Sequence, residues 1–163
     1  MRIYLVGKNA NGQFALIDKT DFELVKNHKW YDHGTGYAYT KINGKTIMMH
    51  RLILNASKGQ AVDHRNRNGL DNTRKNIRLC TMYENNIYRP VSKDNKTGYK
   101  GVNFNPMSSS KNPWTIYYSF QGHHHYGGSY ATKELAAKKY NEIVKKLHGE
   151  FAWINKLTKL KTS

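Results

Sequence analysis

The first half of the chain alternates short apolar runs with clusters of Asn, Gly and Lys, which predicts small strands joined by tight turns rather than long helices. RIYLV (2–6) and QFALID (13–18) read as strands across the turn-forming NANG, and DFELVKN (21–27) as a short helix capped by Thr20. GYAYTKI and KTIMM flank Asn43-Gly44, a dipeptide suited to a type I′ hairpin turn because both of its central residues need positive φ. HRLILNA follows as a helical turn, QAVDH (60–64) and IRLCT (77–81) as strands, and MYENNIYR (82–89) as the start of a helix. Residues 60–89 therefore read as strand, long polar loop, strand, helix.

Apolar periodicity stops at PVSKDNKTG (90–98), whose Pro, Ser, Asp, Asn and Gly mark a linker. Beyond it the pattern is simpler. YKGVNFN, WTIYYSF and HHHYGGSY alternate as three strands. Leu135, Ala136, Tyr140, Ile143, Val144 and Leu147 then recur at helical spacing, with Thr132 placed to cap the start, Glu134 in the first turn and Gly149 at the end. One amphipathic helix over 132–148, packed on a three-stranded sheet, is the prediction. The expected organisation is one domain over 1–90, a linker over 91–96, a second domain over 97–155 and a basic, frayed tail over 156–163.

Charge turns this outline toward function. The 163 residues carry a formal net charge of +16. Residues 1–92 hold 15 Lys and Arg against 7 Asp and Glu, and residues 93–163 hold 12 against 4, so both halves attract a polyanion. A merely cationic coat is the plain alternative. Cys80 is the single cysteine, which excludes an internal disulfide and a Cys-pair zinc ribbon, and it reads as strand filling. No apolar run reaches the roughly 18 residues of a membrane span, and the N-terminus breaks into Asn and Gly too soon for a signal peptide. A cytoplasmic protein without a membrane partner, either a monomer or a weak dimer, is the expectation.

The candidate chemistry sits in VDHRNRNGLDNTRKNIRLCTMYEN (62–85). Phosphodiester hydrolysis needs a deprotonated water and positive charge against the phosphate and the leaving oxygen. Asp63 and Asn85, at a strand end and a helix start, offer oxygen ligands of the kind that suit Mg²⁺ or Mn²⁺ rather than zinc, with Glu84 able to ligate in place of Asn85. His64, whose imidazole type titrates near neutrality, could take the proton, and an amide such as Asn76 across the loop could orient it. Arg65, Arg67, Arg74 and Arg78 bracket the loop as candidate backbone contacts. His50 and Arg51 could meet phosphate, although a partly buried His50 fits equally well.

DH, the loop GLDNTRKN and IRLCTMYEN together resemble the HNH endonucleases in the variant whose last motif position is Asn. The preceding KWYDHGTGYAYTKINGKTIMMHRLIL is similar to the segment before this motif in many phage-type members, and the match runs over about residues 13–89. The resemblance implies a ββα-metal fold with one Mg²⁺ or Mn²⁺ per active site. It implies Asp63 and Asn85 as metal ligands, His64 as general base and Asn76 as the loop residue that pins the base. It further implies 5′-phosphate and 3′-hydroxyl products.

Farther on, TGYKGVNFNP, the alternating strand from Trp114 and GGSYATKELAAKKYNEIVKKLHGEFAWIN resemble the plant ethylene-response-factor (Apetala-type) DNA-binding domain over about residues 97–155. Matched on Tyr99-Lys100-Gly101-Val102 and Gly128-Ser129-Tyr130, that family's DNA-facing positions fall on Lys100, Asn103, Asn105, Tyr117, Ser119, His124 and Tyr126. Period-two alternation agrees, and puts Val102, Phe104, Trp114, Ile116, Tyr118 and Phe120 on the opposite face. Where plant members place several arginines this chain has none after Arg89, so bidentate guanine reading is weakened. His123, His124 and His125 are neighbours on one strand and alternate faces, which disfavours a shared ion.

The expectation is thus an α+β protein: a ββα-metal nuclease domain followed by a three-stranded antiparallel sheet packed on one helix. It would act on double-stranded DNA as a metal-dependent endonuclease of nicking or homing type. A non-catalytic DNA-binding or regulatory protein is the competing reading, and an RNA-directed or nonspecific nuclease is a third.

Overall fold

The structure is a computed structural model that describes residues 1–8, 10–106 and 111–157. The tail expected over 156–163 lies, from Thr158 onward, outside the described residues. The architecture is α+β, and the chain divides into two compact units, Met1–Met82 and Tyr83–Ser163.

The first unit is built from three small antiparallel sheets. β1 (Arg2–Tyr4) pairs with β2 (Phe14–Leu16). A 3-10 turn over Lys19–Asp21 leads into α1 (Phe22–Val25), so the helix begins later than expected and Thr20 caps nothing. Asp21 occupies that start instead, buried in an ion pair with Arg74 at 2.7 Å. β3 (Tyr31–Asp32), too short to show a period, pairs with β4 (Ala38–Ile42), which turns through Asn43 and Gly44 into β5 (Lys45–Met48). Both turn residues have positive φ, at 50° and 76°, as a type I′ turn requires. α2 (Met49–Ile53) follows, and then β6 (Ala61–His64) pairs with β7 (Ile77–Cys80). Leu5, Ala15, Ile17, Val25, Trp30, Ala38, Met49, Ile53 and Ile77 form one core, in which the Trp30 indole donates to the Val25 carbonyl at 3.0 Å.

α3 (Met82–Ile87) begins at the last residue of the first unit and lies otherwise in the second. The polar stretch after it forms turns: the Asn95 carboxamide oxygen accepts from the Thr97 and Gly98 amides at 3.0 and 2.7 Å. β8 (Val102–Phe104), β9 (Trp114–Phe120) and β10 (His123–Tyr130) form a three-stranded antiparallel sheet in the order β10-β9-β8. α4 (Lys133–His148) packs Ala136, Ala137, Tyr140 and Val144 onto Val102 and Ile116. Thr132 caps the helix by accepting from the Leu135 amide at 3.2 Å. Two residues expected in the core depart from it. Leu135 is exposed, with Ala137 buried in its stead, and Phe104 is half in solvent against the Trp114 ring.

Candidate active site

The β6–β7 pairing sets Asp63 opposite Arg78 and His64 opposite Ile77. Arg78 Nε donates to Asp63 Oδ2 at 2.8 Å, and Nη2 lies 2.7 Å from the same oxygen. Both side chains are buried, so the arginine expected at the nucleic-acid backbone instead neutralises a carboxylate that would otherwise be stranded in the interior. The loop 65–76 holds itself together. Asn66 and Asn68 cap amides two residues on, and Asn66 Nδ2 donates to Asp71 Oδ2 at 2.8 Å. Asn76 accepts from the Asn66 amide at 2.9 Å and donates to the Asp71 carbonyl at 2.6 Å. The loop is also laid against β2, where Leu16 gives its amide to Leu70 and its carbonyl to Asn72, each at 2.7 Å.

His64 is 4% exposed at the end of β6. Its Nε2 lies 3.4 Å from Asn72 Oδ1. With the Asn72 oxygen turned to the ring, the contact is a hydrogen bond when Nε2 carries the proton, and Nδ1 is then the nitrogen left to accept one. Burial pulls the pKa below the ordinary histidine value, opposed by the Asn72 contact and by the charges of Asp63 and Asp71. Tyr37 and His50 complete a ring cluster. His50 meets His64 edge to face at 5.0 Å and 87°, and Tyr37 lies 5.5 Å from each imidazole. Gly69 makes this cluster possible: a Cβ there would collide with the Gly36 carbonyl and the Tyr37 ring.

The remaining expected residues divide by their surroundings. Arg51 gives its guanidinium to the carbonyls of Gln60, Ala56 and Ser57 at 2.7, 3.2 and 2.8 Å, which ties down the turn after α2. Arg65 and Arg67 are exposed at the start of the loop. Asn85 lies on α3, within the second unit. In that unit Lys100 Nζ donates to the carbonyls of Ile87 and Arg89 at 2.6 and 2.8 Å and so caps α3. Cross-strand register places Asn103 beside Thr115, Tyr117 beside Tyr126 and Ser119 beside His124. Asn105 follows β8 and donates its amide to the Pro113 carbonyl.

Compared with known proteins, the chain is 32% identical to an uncharacterized HNH endonuclease of Acanthamoeba polyphaga mimivirus, over a 161-residue alignment spanning 94% of this chain and 80% of the relative. The chain belongs to the HNH endonuclease family. No family model and no solved structure matches it. In this HNH chain, three or more His, Cys, Asp or Glu side chains gather into no metal-holding group among the described residues. Nor is any helix among them long and apolar enough to cross a membrane. Asn72, His50 and Tyr37 are the neighbours of His64 that sequence reasoning passed over or left open. Asn72 stood in the quoted motif, four residues before Asn76; both amides are buried, and the loop's own hydrogen bonds engage Asn76 and leave Asn72 at the ring.

Proposed function

We propose that this chain is a metal-dependent DNA endonuclease with His64 as general base and Asp63 and Asn85 as ligands of one hard divalent cation. The observation that carries the reading is His64 at the end of β6, in contact with Asn72 and next in sequence to a buried carboxylate. The donor chemistry fits the cation. Arg78 engages Asp63 through Oδ2, so Oδ1 would remain available to hold the cation, and the Asn85 amide oxygen would add a neutral donor. Few protein ligands, all oxygen, suit Mg²⁺ or Mn²⁺, which keep most of their water. When bound, such an ion supplies positive charge to the phosphate and leaving oxygens.

The protein's own groups do the rest. His64 Nδ1 accepts the proton of the attacking water, Asn72 holds the imidazole in the required tautomer, and Asn76 keeps the loop in place around it. Arg65 and Arg67 meet the DNA backbone, with Arg51 shaping the adjoining turn. On this reading residues 1–90 form the nuclease domain, with 91–96 as linker and 156–163 as a basic tail. Residues 97–155 form a DNA-binding domain similar to the ethylene-response-factor type. It offers Lys100, Asn103, Asn105, Tyr117, Ser119, His124 and Tyr126 to double-stranded DNA. One site per chain means a monomer nicks.

Supercoiled plasmid incubated with Mg²⁺ should relax, and His64→Ala should slow relaxation at least ~100-fold, the scale of a lost general base. Equal rates would reassign the base. The Asp63–Arg78 pair favours one competitor, a DNA-binding protein without catalysis, because the carboxylate already has a cation beside it. No relaxation with either Mg²⁺ or Mn²⁺, alongside retained DNA binding, would select that competitor.

A further inference from the structure

The outward face of the C-terminal sheet carries an exposed aromatic pair. Tyr117 on β9 and Tyr126 on β10 are cross-strand partners, with ring centroids 5.7 Å apart and planes tilted by 56°. They are 47% and 58% exposed. Tyr126 is held in place through its hydroxyl, 2.6 Å from Ser129 Oγ, and the next pair is joined by Ser119 Oγ and His124 Nδ1 at 3.2 Å. α4 packs on the opposite face, against Val102 and Ile116.

A duplex shows a sheet only base edges and phosphates, because the faces of its bases are stacked on one another. Edge reading and phosphate clamping favour arginine, and the chain has none beyond Arg89. Lys100, at the start of the sheet, already caps the carbonyls of Ile87 and Arg89. What the face does offer is ring surface, which pairs with the faces of unstacked bases. A cleft of about 420 Å³ continues from it, lined by Tyr117, Ser119 and His124 of the sheet together with Tyr83, Lys100 and His148. That volume lies in the range of small-ligand sites and accommodates one extruded nucleotide. Residues 83–163 carry 13 Lys and Arg against 5 Asp and Glu, which supplies attraction for a polyanion without specifying its form.

We propose that this face and its cleft bind single-stranded DNA, with bases stacked on Tyr117 and Tyr126 and one base entering the cleft. The proposal rests on the reading of the sheet as a DNA surface and changes the form of DNA it takes. The binding energy comes from ring–base contact, so it tolerates sequence and needs no guanidinium.

The test is fluorescence anisotropy with the full chain in EDTA, where cleavage cannot interfere. The probes are a labelled single-stranded DNA oligonucleotide, a hairpin duplex of the same sequence and the corresponding RNA, at one salt concentration. Single-stranded DNA should bind at least ~10-fold more tightly than the hairpin. The double variant Tyr117→Ala, Tyr126→Ala should weaken it ~10-fold or more, a clearly larger loss than the one it causes on the hairpin. Tyr117→Phe with Tyr126→Phe should bind as wild type, since the ring surface remains, which separates stacking from a folding defect. Tighter binding of the hairpin, tighter binding of RNA, or equal losses on both DNA forms would overturn the proposal. Binding to none of the three would remove the DNA-surface reading with it. A plasmid that stays supercoiled while the single strand still binds would count against the nuclease assignment alone and leave this one standing.

Discussion

His50 is a buried imidazole with one nitrogen unanswered: it is 9% exposed, and among the described residues its Nδ1 has no hydrogen-bond partner. Burial first, then the neighbouring charges of His64 and Arg51, pull its pKa down to about 3. The unfolded chain accepts that proton near the ordinary value of 6.5, whereas the folded one resists it. Stability from this group is therefore complete above pH 6.5 and drains away as pH falls from there toward 3. Between pH 7 and pH 5 the loss should approach about 2 kcal/mol. Urea titrations at the two pH values check this: His50→Phe should shrink the difference, leaving what His64, whose pKa is likewise lowered, contributes, and an unchanged difference would show that another group controls it. His50 was open to two readings in the sequence, phosphate contact or a satisfied, partly buried imidazole; the structure buries it and leaves Nδ1 unanswered among the described residues. Arg78 could not be read there. Only the register that sets it across from Asp63 turns it inward.

Among the elements, the ones legible in sequence carried their own local signals. Asn43-Gly44 formed its hairpin, and β9, β10 and α4 follow the alternation and capping written in their residues. Elements decided by distant partners were not legible. β3 is two residues long, and the start of α1 is displaced by Asp21, whose partner Arg74 lies far along the chain. The linker composition of 90–98 concealed a turn network, because Asn, Ser and Thr signal loops and ordered turns alike. Gly69 belongs to this scale, since it lets the loop 65–76 approach the segment bearing Tyr37. Gly69→Ala should destabilise the fold by about 1–3 kcal/mol. A shift of the urea midpoint at constant slope would report it, and no shift would mean that the two segments separate without cost.

For the molecule as a whole, charge was the most legible property and the least local one. The +16 excess has no single address, so it predicts that a polyanion binds and says nothing about which face meets it. Engagement of about six phosphates should give a slope near −5 in a log–log plot of affinity against salt. A flat plot would remove the electrostatic footprint. Stacking on Tyr117 and Tyr126 would lower the magnitude of that slope for single strands, because ring contacts release no counterions.

The way β2 grips the loop matters for anyone wishing to transplant the candidate site. Leu16 bonds Leu70 and Asn72, and Asp18 accepts from the Arg74 amide at 2.7 Å, so the segment around His64 borrows its rigidity from the opening residues of the chain. Cut out as a bare 60–89 cassette and grafted onto another scaffold, it would bring every motif residue and lose the brace that holds them. The smallest portable piece of this protein must include its own first strands.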